Sequence, residues 1–321
     1  MIGMTFLLVT NCRDLTTDYV VREMKRRGHD FVRLNTEHIT TSFVSIEPQR
    51  RSIEIRLADR LLNLRDVSAA YFRRPEAPLR PSEEIDERSW VHAAGEWNAL
   101  LKSIYLFLGE RWLSHPSNIL LAEDKPRQLM TAVTLGLKIP TGVVTNAFEE
   151  VKALAENARI IGKPLKSALV SDQAEGSVVF TSLIPTLYEK DAAAIAACPA
   201  IYQVEIQKAF DVRVTVVGKL AFAVAIYSQD ADESKVDWRR GSNPTLVHQP
   251  ISLPAEIEAK CLELVGSLGL RFGAIDLICD KQGEYWFLEC NPNGQWAWIE
   301  NRTGYPISAA IVDELERIAA S

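Results

Sequence analysis

Two carboxylates and a carboxamide near the end of the chain lie inside apolar, strand-like runs, where burial would make them costly. Asp276 belongs to the first run, and Glu289 and Asn291 belong to the second. The turn 280–283 would fold the two runs into a hairpin, which brings Asp276 within a residue or two of facing Glu289. Two unpaired carboxylates at that distance repel each other unless a cation neutralises them. Oxygen ligands of this kind suit Mg²⁺, which takes its remaining ligands from waters and substrate phosphates.

Strand alternation assigns the neighbours of these residues to faces. One face of the second run carries Tyr285, Phe287, Glu289 and Asn291, and one face of the first carries Phe272, Ala274, Asp276 and Ile278. A purely structural interpretation stays open at this point: Asp276 pairs with a lysine or arginine, and Glu289 merely ends a strand. The residues alone favour neither interpretation over the other.

The familiar nucleotide and nucleophile motifs are absent from the sequence. It has no Gly-x-x-x-x-Gly-Lys-Ser/Thr loop and no Gly-x-Gly-x-x-Gly turn, so Walker-type and Rossmann interpretations are excluded. None of the five histidines belongs to a His-Glu-x-x-His motif or to a local triad signature. Any nucleotide must therefore be held by other means, and no covalent enzyme intermediate is expected.

The elements that must position these residues begin with a βαβ unit. The pattern predicts a strand at Thr5–Thr10, a helix at Thr17–Arg27 ended by Gly28, and a strand at Phe31–Leu34. A chain of 321 residues exceeds one usual core, so two or three packed lobes are expected, and the succession of elements divides the chain at 1–115, 116–200 and 201–321. The third lobe is predicted to be a sheet of the segments 201–205, 212–217, 220–227, 272–279 and 284–290, covered by helices at 254–268 and 307–320.

Charge and cysteine usage exclude several classes of function. The net charge of −6 and the interspersed ions create no single-sign field, so neither a nucleic-acid nor a membrane partner is expected. Five scattered cysteines without a Cys-x-x-Cys pair fit reduced thiols in a cytoplasmic protein, with neither a disulfide framework nor a zinc site. The apolar run at 6–9 is too short to span a membrane.

Three segments carry a resemblance to a known family. Leu288–Trp296, together with Tyr71–Pro75 and the stretch 10–37, resembles the ATP-grasp ligases, and more narrowly the ATP-grasp peptide maturases that include the microviridin ligases. Those enzymes cross-link ribosomally made peptides through side-chain esters and amides, the graspetides. The likeness runs over nearly the whole chain. It implies an α/β and α+β fold, namely the ATP-grasp fold with an N-terminal βαβ-type (pre-ATP-grasp) lobe.

The resemblance also implies which residues would hold ATP. Lys125 resembles the family's lysine that reaches the α-phosphate, and Lys163 resembles a strand-borne lysine near the adenine and phosphates. The polar loop 171–178 would cover the β- and γ-phosphates with backbone N–H groups, although an ordinary hairpin turn explains it nearly as well. The remaining nucleotide candidates are Gly176 and Ser177 in that loop, Gln203, Glu205 and Ile206 in a hinge between lobes, and Asp211.

Catalytic and metal roles follow in the same way. Arg213 resembles an arginine that faces the reacting centre, with an ion pair to Asp211 along the same strand as the structural alternative. Arg239 resembles an arginine near the γ-phosphate or the carboxylate, although the local spacing departs from the best-known members. The implied Mg²⁺ ligands are Asp276, Glu289 and Asn291.

The implied reaction begins when a carboxylate attacks the γ-phosphate of ATP, which produces an acyl phosphate and ADP, and a hydroxyl or amine then displaces phosphate. The expected partner is a precursor peptide with a leader and a core of Asp or Glu plus Ser, Thr or Lys, and a homodimer is a further expectation. Arg73, Arg74 and Arg80 could bind an acidic peptide or lie in surface turns. The alternatives are a RimK-type ligase that adds a free amino acid, and an inactive nucleotide-binding partner.

Overall fold

Strand β1 (Thr5–Thr10) is buried along its whole length, as expected for the central strand of a parallel sheet covered on both faces. It lies between β2 (Asp30–Asn35) and β6 (Val67–Phe72) and pairs with both in parallel. Helix α1 (Leu15–Arg27) connects the parallel neighbours β1 and β2. This arrangement confirms the predicted βαβ opening.

The limits of α1 follow from two residues at its ends. The Asp14 side chain accepts a hydrogen bond from the Thr16 N–H and caps the first turn. At the other end Gly28 adopts φ +73°, a left-handed conformation that glycine reaches without cost, and its N–H bonds the carbonyls of the last turn.

In this computed structural model, the described residues are 4–57, 60–166, 181–227 and 247–321. The chain forms two compact units. The first contains Met1–Ile119, Gly269–Phe272 and Asn293–Ser321, and the second contains Leu120–Leu268 and Gly273–Pro292. The three-lobe boundaries at residues 115 and 200 stay a prediction.

The bounds of the regular elements are as follows. The remaining strands are β3 (Phe43–Glu47), β4 (Ser52–Arg56), β5 (Leu61–Asn63), β7 (Gly142–Thr145), β8 (Ile160–Pro164), β9 (Ser182–Leu183), β10 (Ala200–Val204), β11 (Lys208–Val217), β12 (Leu220–Ile226), β13 (His248–Ile251), β14 (Phe272–Asp280) and β15 (Tyr285–Asn291). The remaining helices are α2 (Glu87–Leu108), α3 (Pro116–Ala122), α4 (Lys125–Thr134), α5 (Phe148–Asn157), α6 (Ala192–Ala197), α7 (Ala255–Ser267), α8 (Ala297–Thr303) and α9 (Ile307–Ala319). Among these described helices, none combines the length and apolarity needed to cross a membrane.

The first unit has a second, antiparallel sheet of order β3-β4-β5 beside the parallel one. Its core joins apolar side chains of β1, β2, β4 and β6 to Leu101, Ile104 and Leu108 of the long helix α2. Helix α9 also belongs here, since it contacts α1 and β6. The prediction that α9 covers the C-terminal sheet was therefore wrong. Its buried face is broad and apolar, and the sequence pattern does not say which sheet such a face will cover.

The second unit contains two sheets, of orders β7-β10-β8-β9 and β13-β12-β11-β14-β15. Strand β10, which was predicted to join the C-terminal sheet, instead pairs antiparallel with β7 and β8. Both of its edges are thereby used, so no edge remains for β11. The approach to β7 is close: a Cβ on Gly142 would lie 2.2 Å from the Tyr202 carbonyl oxygen, which explains the glycine there. Helix α7 packs on β11 and β12, as predicted.

Candidate functional site

The hairpin β14-β15 brings the two predicted metal-binding carboxylates opposite each other. Asp276 is the cross-strand partner of Glu289, and Asn291 lies opposite Ala274. Asp276 is buried, with 5% of its surface exposed, whereas Glu289 and Asn291 are half-buried. The predicted facing pair is therefore confirmed, and its three oxygen-bearing side chains share one face of the hairpin.

A β-bulge separates this face from the aromatic half of β15. The pairing passes from Asp276–Glu289 directly to Leu277–Phe287, so Leu288 is the extra residue of the bulge. Because the extra residue reverses the alternation, Phe287 lies on the opposite face from Glu289. The predicted single face from Tyr285 to Asn291 was wrong. The period-2 rule holds only while every residue has one partner, and bulges are frequent beside functional sites.

Arg213 of β11 reaches Asp276 on the neighbouring strand β14. Its Nε lies 3.3 Å from Asp276 Oδ1, and its NH1 donates to the Ala274 carbonyl oxygen at 3.4 Å. Both charged side chains are buried, with side-chain exposures of 6% and 7%. Arg213 and Asp276 thus form an ion pair, which is what the structural interpretation of Asp276 required. An ion pair of this kind does not exclude metal binding, because a carboxylate has lone pairs for both partners.

Lys125 makes the corresponding contact with Glu289. It is the first residue of α4, which begins where the Asp124 carboxylate accepts the Arg127 N–H at 2.7 Å. The Lys125 ammonium lies 3.3 Å from Glu289 Oε2 and donates to the Pro164 carbonyl oxygen at 3.1 Å. Lys163 precedes Pro164 in β8 and is half-buried. The structure therefore links Lys125 both to the strand that carries Lys163 and to the carboxylate of β15.

Asp211 is held by a lysine that the sequence analysis did not single out. The Lys208 ammonium lies 2.8 and 2.7 Å from the two Asp211 carboxylate oxygens, and both side chains are nearly fully buried. The alternative pairing of Asp211 with Arg213 along the same strand is therefore not the arrangement seen. The signal that could have revealed Lys208 was its position three residues before Asp211 at the start of an otherwise apolar strand.

Gln128 is a second residue that sequence reasoning missed. It lies on the buried face of α4, and its amide bonds both backbone groups of Cys290, accepting from the N–H at 2.8 Å and donating to the carbonyl oxygen at 2.7 Å. It also donates to the Ala122 carbonyl oxygen at 2.6 Å. Cys290 lies between Glu289 and Asn291, so Gln128 fixes the backbone that presents both side chains. A glutamine among the buried positions of α4, beside Leu129 and Ala132, was the available signal.

The thiol of Cys290 is buried, with 2% of the residue exposed. Burial is the main cause that raises the pKa of this thiol far above its usual range, so the side chain stays neutral and acts as an apolar group. Gly273 faces the Cys290 sulfur so closely that a Cβ there would lie 2.9 Å from it. The thiol therefore fills the core of the unit.

The predicted hinge residues lie at the end of β10 in the second unit, with Gln203 inside the strand and Glu205 and Ile206 directly after it. Gln203 is buried, and its Oε1 has no hydrogen-bond partner among the described residues. It lines an apolar groove of about 440 Å³ beside α4 and β7. Glu205 donates its N–H to the Arg159 carbonyl oxygen at 2.8 Å, and its carboxylate lies 3.1 Å from the Arg159 guanidinium. Ile206 is half-buried. The ligand roles of these three residues stay a prediction.

Three predicted site residues lie outside the described part of the chain. They are Gly176 and Ser177 of the polar loop, and Arg239.

A separate cluster of side chains that are able to ligate a metal occurs in the first unit. Ligand atoms of Cys12, Glu37 and His38 lie within 4.8 Å of one another, and of these residues only Glu37 is buried. The Glu37 carboxylate accepts the Cys12 N–H at 2.7 Å, and a hydrogen bond between the thiol and this carboxylate is the main cause that raises the pKa of Cys12. These bonds explain the cluster as a cap on the loop after β1.

Three solved structures resemble this chain over nearly its whole length. A RiPP-associated ATP-grasp ligase from Chryseobacterium gregarium, in complex with ADP and a leader and core peptide, has a TM-score of 0.89 and 29% identity, covering 97% of this chain and 96% of that chain. The macrocyclase MdnC from Microcystis aeruginosa MRC, bound with the precursor peptide MdnA, has a TM-score of 0.83 and 31% identity, covering 97% and 99%. The macrocyclase MdnB from the same source has a TM-score of 0.79 and 26% identity, covering 98% and 99%.

A scan against protein-family models found no match, and a search of the curated proteins found none either. The likeness is therefore carried by solved structures that share both the fold and a quarter or more of the residues.

Proposed function

Because this chain belongs to the ATP-grasp ligases that modify ribosomally made peptides, the group that includes the graspetide macrocyclases, we propose that it cross-links a precursor peptide. The enzyme would activate Asp or Glu side chains of the peptide and join them to Ser or Thr hydroxyls or to Lys amines. The observation that carries the proposal is the likeness to a macrocyclase bound with its precursor peptide, at 31% identity over 97% of this chain.

The proposed reaction has two steps, and neither needs a nucleophile from the enzyme. First, a peptide carboxylate oxygen attacks the γ-phosphorus of ATP, the bond between this phosphorus and the bridging oxygen breaks, and ADP leaves with the electron pair. Second, the hydroxyl or amine attacks the carbonyl carbon of the acyl phosphate, loses its proton, and expels inorganic phosphate. The peptide loses one water for each bond formed. This two-step course agrees with a chain that lacks any triad signature.

The side chains of the second unit suit the charges that arise. Lys125 and Lys163 would offset negative charge on the phosphates of bound ATP, and Arg213 would stabilise the transferring phosphoryl group and the acyl phosphate. Support comes from the contacts that already join Lys125 to Glu289 and Arg213 to Asp276. In the same proposal Gln203, Glu205, Ile206 and Asp211 belong to the nucleotide site, with Gly176, Ser177 and Arg239 from the undescribed part of the chain.

The residues opposite each other in the β14-β15 hairpin fit Mg²⁺ by their chemistry. Asp276, Glu289 and Asn291 offer two carboxylates and a carboxamide on one face, and hard oxygen donors are what this ion prefers. These residues would hold the ion, which when bound supplies positive charge to phosphate oxygens. Arg213 and Lys125 would orient the two carboxylates.

We also infer a cytoplasmic location and a homodimer as parts of this proposal. The support for the first is that all five cysteines are free, three of them buried, which suits a reducing compartment. The homodimer is checked by light scattering of the purified protein.

The function is tested by incubating the enzyme with Mg-ATP and the precursor peptide encoded by the neighbouring reading frame. We expect ADP as the nucleotide product and a peptide lighter by one water per bond, measured by mass spectrometry. Hydroxylamine should intercept part of the activated carboxylate as a hydroxamate. Free amino acids should leave the product unchanged.

A product heavier by one amino-acid residue, formed only when that amino acid is present, would refute macrocyclisation and establish the RimK-type alternative. Absence of ADP release with the peptide present would refute both.

A further inference from the structure

Three arginines at and after the end of β6 have different surroundings. Arg73 is 1% exposed, with its Nε 3.1 Å from an Asp14 oxygen and its NH1 donating to the carbonyl oxygens of Asn293 and Gly294. Arg80 donates to a backbone oxygen at 3.2 Å and lies 3.5 Å from Glu87. The side chain of Arg74 makes neither a hydrogen bond nor an ion pair with any described residue. Of the three, only Arg74 therefore has a guanidinium without a hydrogen-bonded or ion-paired partner among the described residues.

The backbone of Arg74 is held in an unfavourable conformation. Its φ is +45°, in the left-handed region that residues with a Cβ avoid. The other described non-glycine residue with positive φ, Arg51, sits in the turn between β3 and β4, where a hairpin requires it. Arg74 has no such turn to explain it. Its carbonyl oxygen accepts the Asn11 amide at 2.6 Å, which holds the strained conformation in place. Strain maintained by neighbouring contacts is typical of functional positions.

Arg74 lies at the carboxyl edge of the parallel sheet, beside the point where the strand order changes direction. In the order β2-β1-β6, strand β2 pairs with one edge of β1, and β6 pairs with the other edge. The crevice beyond the carboxyl ends of two such strands is the usual ligand site of open parallel sheets. Asn11 directly follows β1, Arg73 and Arg74 directly follow β6, and the bond between Asn11 and Arg74 spans this point.

Other guanidinium groups at this edge are already matched by acids. Arg13 lies 2.8 Å from Glu76, and Arg33 pairs with Asp18. The Asp14 carboxylate is occupied by Arg73 and by the Thr17 hydroxyl. Partial burial, and then the charge of Arg73, lower the pKa of Arg74, and the charge of Asp14 opposes this shift with a smaller effect, so the net surroundings disfavour the positive charge. An anion that binds there would relieve this cost, and a carboxylate matches the two-pronged geometry of a guanidinium.

We propose that Arg74 binds a carboxylate of the acidic precursor peptide and thereby makes the enzyme prefer acidic residues. This inference rests on the proposed function. The nucleotide-binding candidates that the structure describes belong to the second unit, and Arg74 belongs to the first. The KM for ATP distinguishes a peptide carboxylate from an ATP phosphate as the ligand of Arg74. Arg73, the preceding residue, is a positioning residue, since its Nε and NH1 are engaged by Asp14 and by the Asn293 and Gly294 carbonyl oxygens, and its NH2 is buried.

Because of its backbone conformation, the Arg74 side chain can be removed without an expected loss of stability. Arg74→Gly removes the charge and also relieves the positive φ, so the protein should fold with an unchanged or higher melting temperature. Arg74→Lys keeps a charge but loses the bidentate geometry. Arg80→Gln is the matched control, because it removes an exposed arginine of the same unit that already has partners.

Two measurements test the proposal. In turnover, Arg74→Gly should raise the KM for the neighbouring-frame precursor peptide roughly 10- to 100-fold, the scale of losing charge-assisted hydrogen bonds, while the KM for ATP stays constant. Arg74→Lys should recover part of the loss. In calorimetric binding with a synthetic core segment with blocked termini, the wild type should prefer the acidic peptide over its Gln and Asn counterpart. Arg74→Gly should bind both equally.

A folded Arg74→Gly enzyme with wild-type KM for the peptide and wild-type preference for the acidic segment would overturn the proposal. So would a wild type without this preference, or a variant in which only the KM for ATP rises, since that would assign Arg74 to the nucleotide. The binding measurement needs no turnover. If the wild type fails to dehydrate any peptide, the proposed function fails, while the acid-versus-amide comparison still decides the role of Arg74.

Discussion

The charged residues of the second unit and those at the sheet edge of the first unit are arranged in opposite ways. In the second unit, each predicted carboxylate has a cation: Glu289 has Lys125, Asp276 has Arg213, and Asp211 has Lys208. At the edge of the first unit, Arg74 has no described partner for its side chain. The paired charges are satisfied by the protein and must be rearranged or shared when a ligand binds. The unpaired charge gains a partner only when an anion arrives.

The largest expected effect concerns the buried pair in β11. Lys208→Met removes the cation that compensates Asp211, so a buried carboxylate is left without its main partner. We expect a loss of about 3 to 5 kcal/mol in the free energy of unfolding, measured by urea denaturation. The double variant Lys208→Met with Asp211→Asn should recover much of this loss, because the uncompensated charge is gone.

Lys219→Met is the matched control, since Lys219 is exposed in the turn between β11 and β12. If Lys208→Met is as stable as this control, the pair is not a buried, obligatory contact and the contrast between the two units does not hold.

A second prediction tests whether the paired carboxylates serve chemistry as well as structure. Glu289→Gln keeps the size of the half-buried side chain and should lower the ATP turnover rate by roughly 10²-fold or more, the scale of losing a main electrostatic group. Glu289 is a better test than Asp276, because Asp276→Asn would leave Arg213 buried without its carboxylate partner. The melting temperature is measured in parallel.

Glu284→Gln is the control, because Glu284 pairs with Lys138 on the exposed end of the same strand pair. Turnover within a few-fold of the wild type in folded Glu289→Gln would remove Glu289 from the proposed metal site.

A third prediction addresses the amide that holds Cys290. Gln128→Met preserves volume but leaves the Cys290 N–H and two buried carbonyl oxygens without this partner. We expect lower stability and a rise of roughly 10-fold in the Mg²⁺ concentration that gives half-maximal ATP turnover, as for other residues that orient metal ligands. Gln282→Met, at an exposed position in the turn between β14 and β15, should change neither quantity. An unchanged Mg²⁺ requirement in Gln128→Met would limit Gln128 to a structural role.

The smallest expected effect is on the stability of the unpaired position. Arg74→Gly should shift the free energy of unfolding by about 1 kcal/mol or less, and toward greater stability, because no contact is lost and the positive φ is relieved. Arg73→Met, one residue earlier, should destabilise far more, since Asp14 loses its buried partner. Equal destabilisation by the two substitutions would show that the Arg74 side chain stabilises the fold as much as that of Arg73.

Some features of the second unit were predictable because their causes are local. A short turn between two apolar runs necessarily places Asp276 near Glu289, and the observed register confirms it. The bulge at Leu288 was not predictable, because the alternation of side chains is the same in a bulged and a regular strand until the partner is known. The face shared by Phe287 and Glu289 was therefore predicted wrongly, while the face shared by Asp276 and Glu289 was right.

Helix limits and long-range pairings differed in the same way. The limits of α1 were predicted to within two residues, since Gly28 ends the helix through local hydrogen bonds. The sheet that β10 joins and the surface that α9 covers were not readable, because an apolar strand or helix face is compatible with any apolar surface of matching shape. Lys208 and Gln128 escaped notice for the same reason. A lone Lys or Gln has no distinctive pattern until its partner is in place.

The sequence by itself determined the chemistry available to this protein: a facing pair of carboxylates beside a carboxamide, lysines and arginines with no nucleophile motif, and a βαβ opening. These depend on residue type and on short spacings, which the chain carries in any conformation. Only the tertiary structure decided which cation each carboxylate receives and that the Arg74 side chain has no ion-paired partner among the described residues. Those contacts join residues far apart in sequence, such as Lys125 with Glu289 and Arg73 with Gly294, and they arise from packing that no local rule specifies.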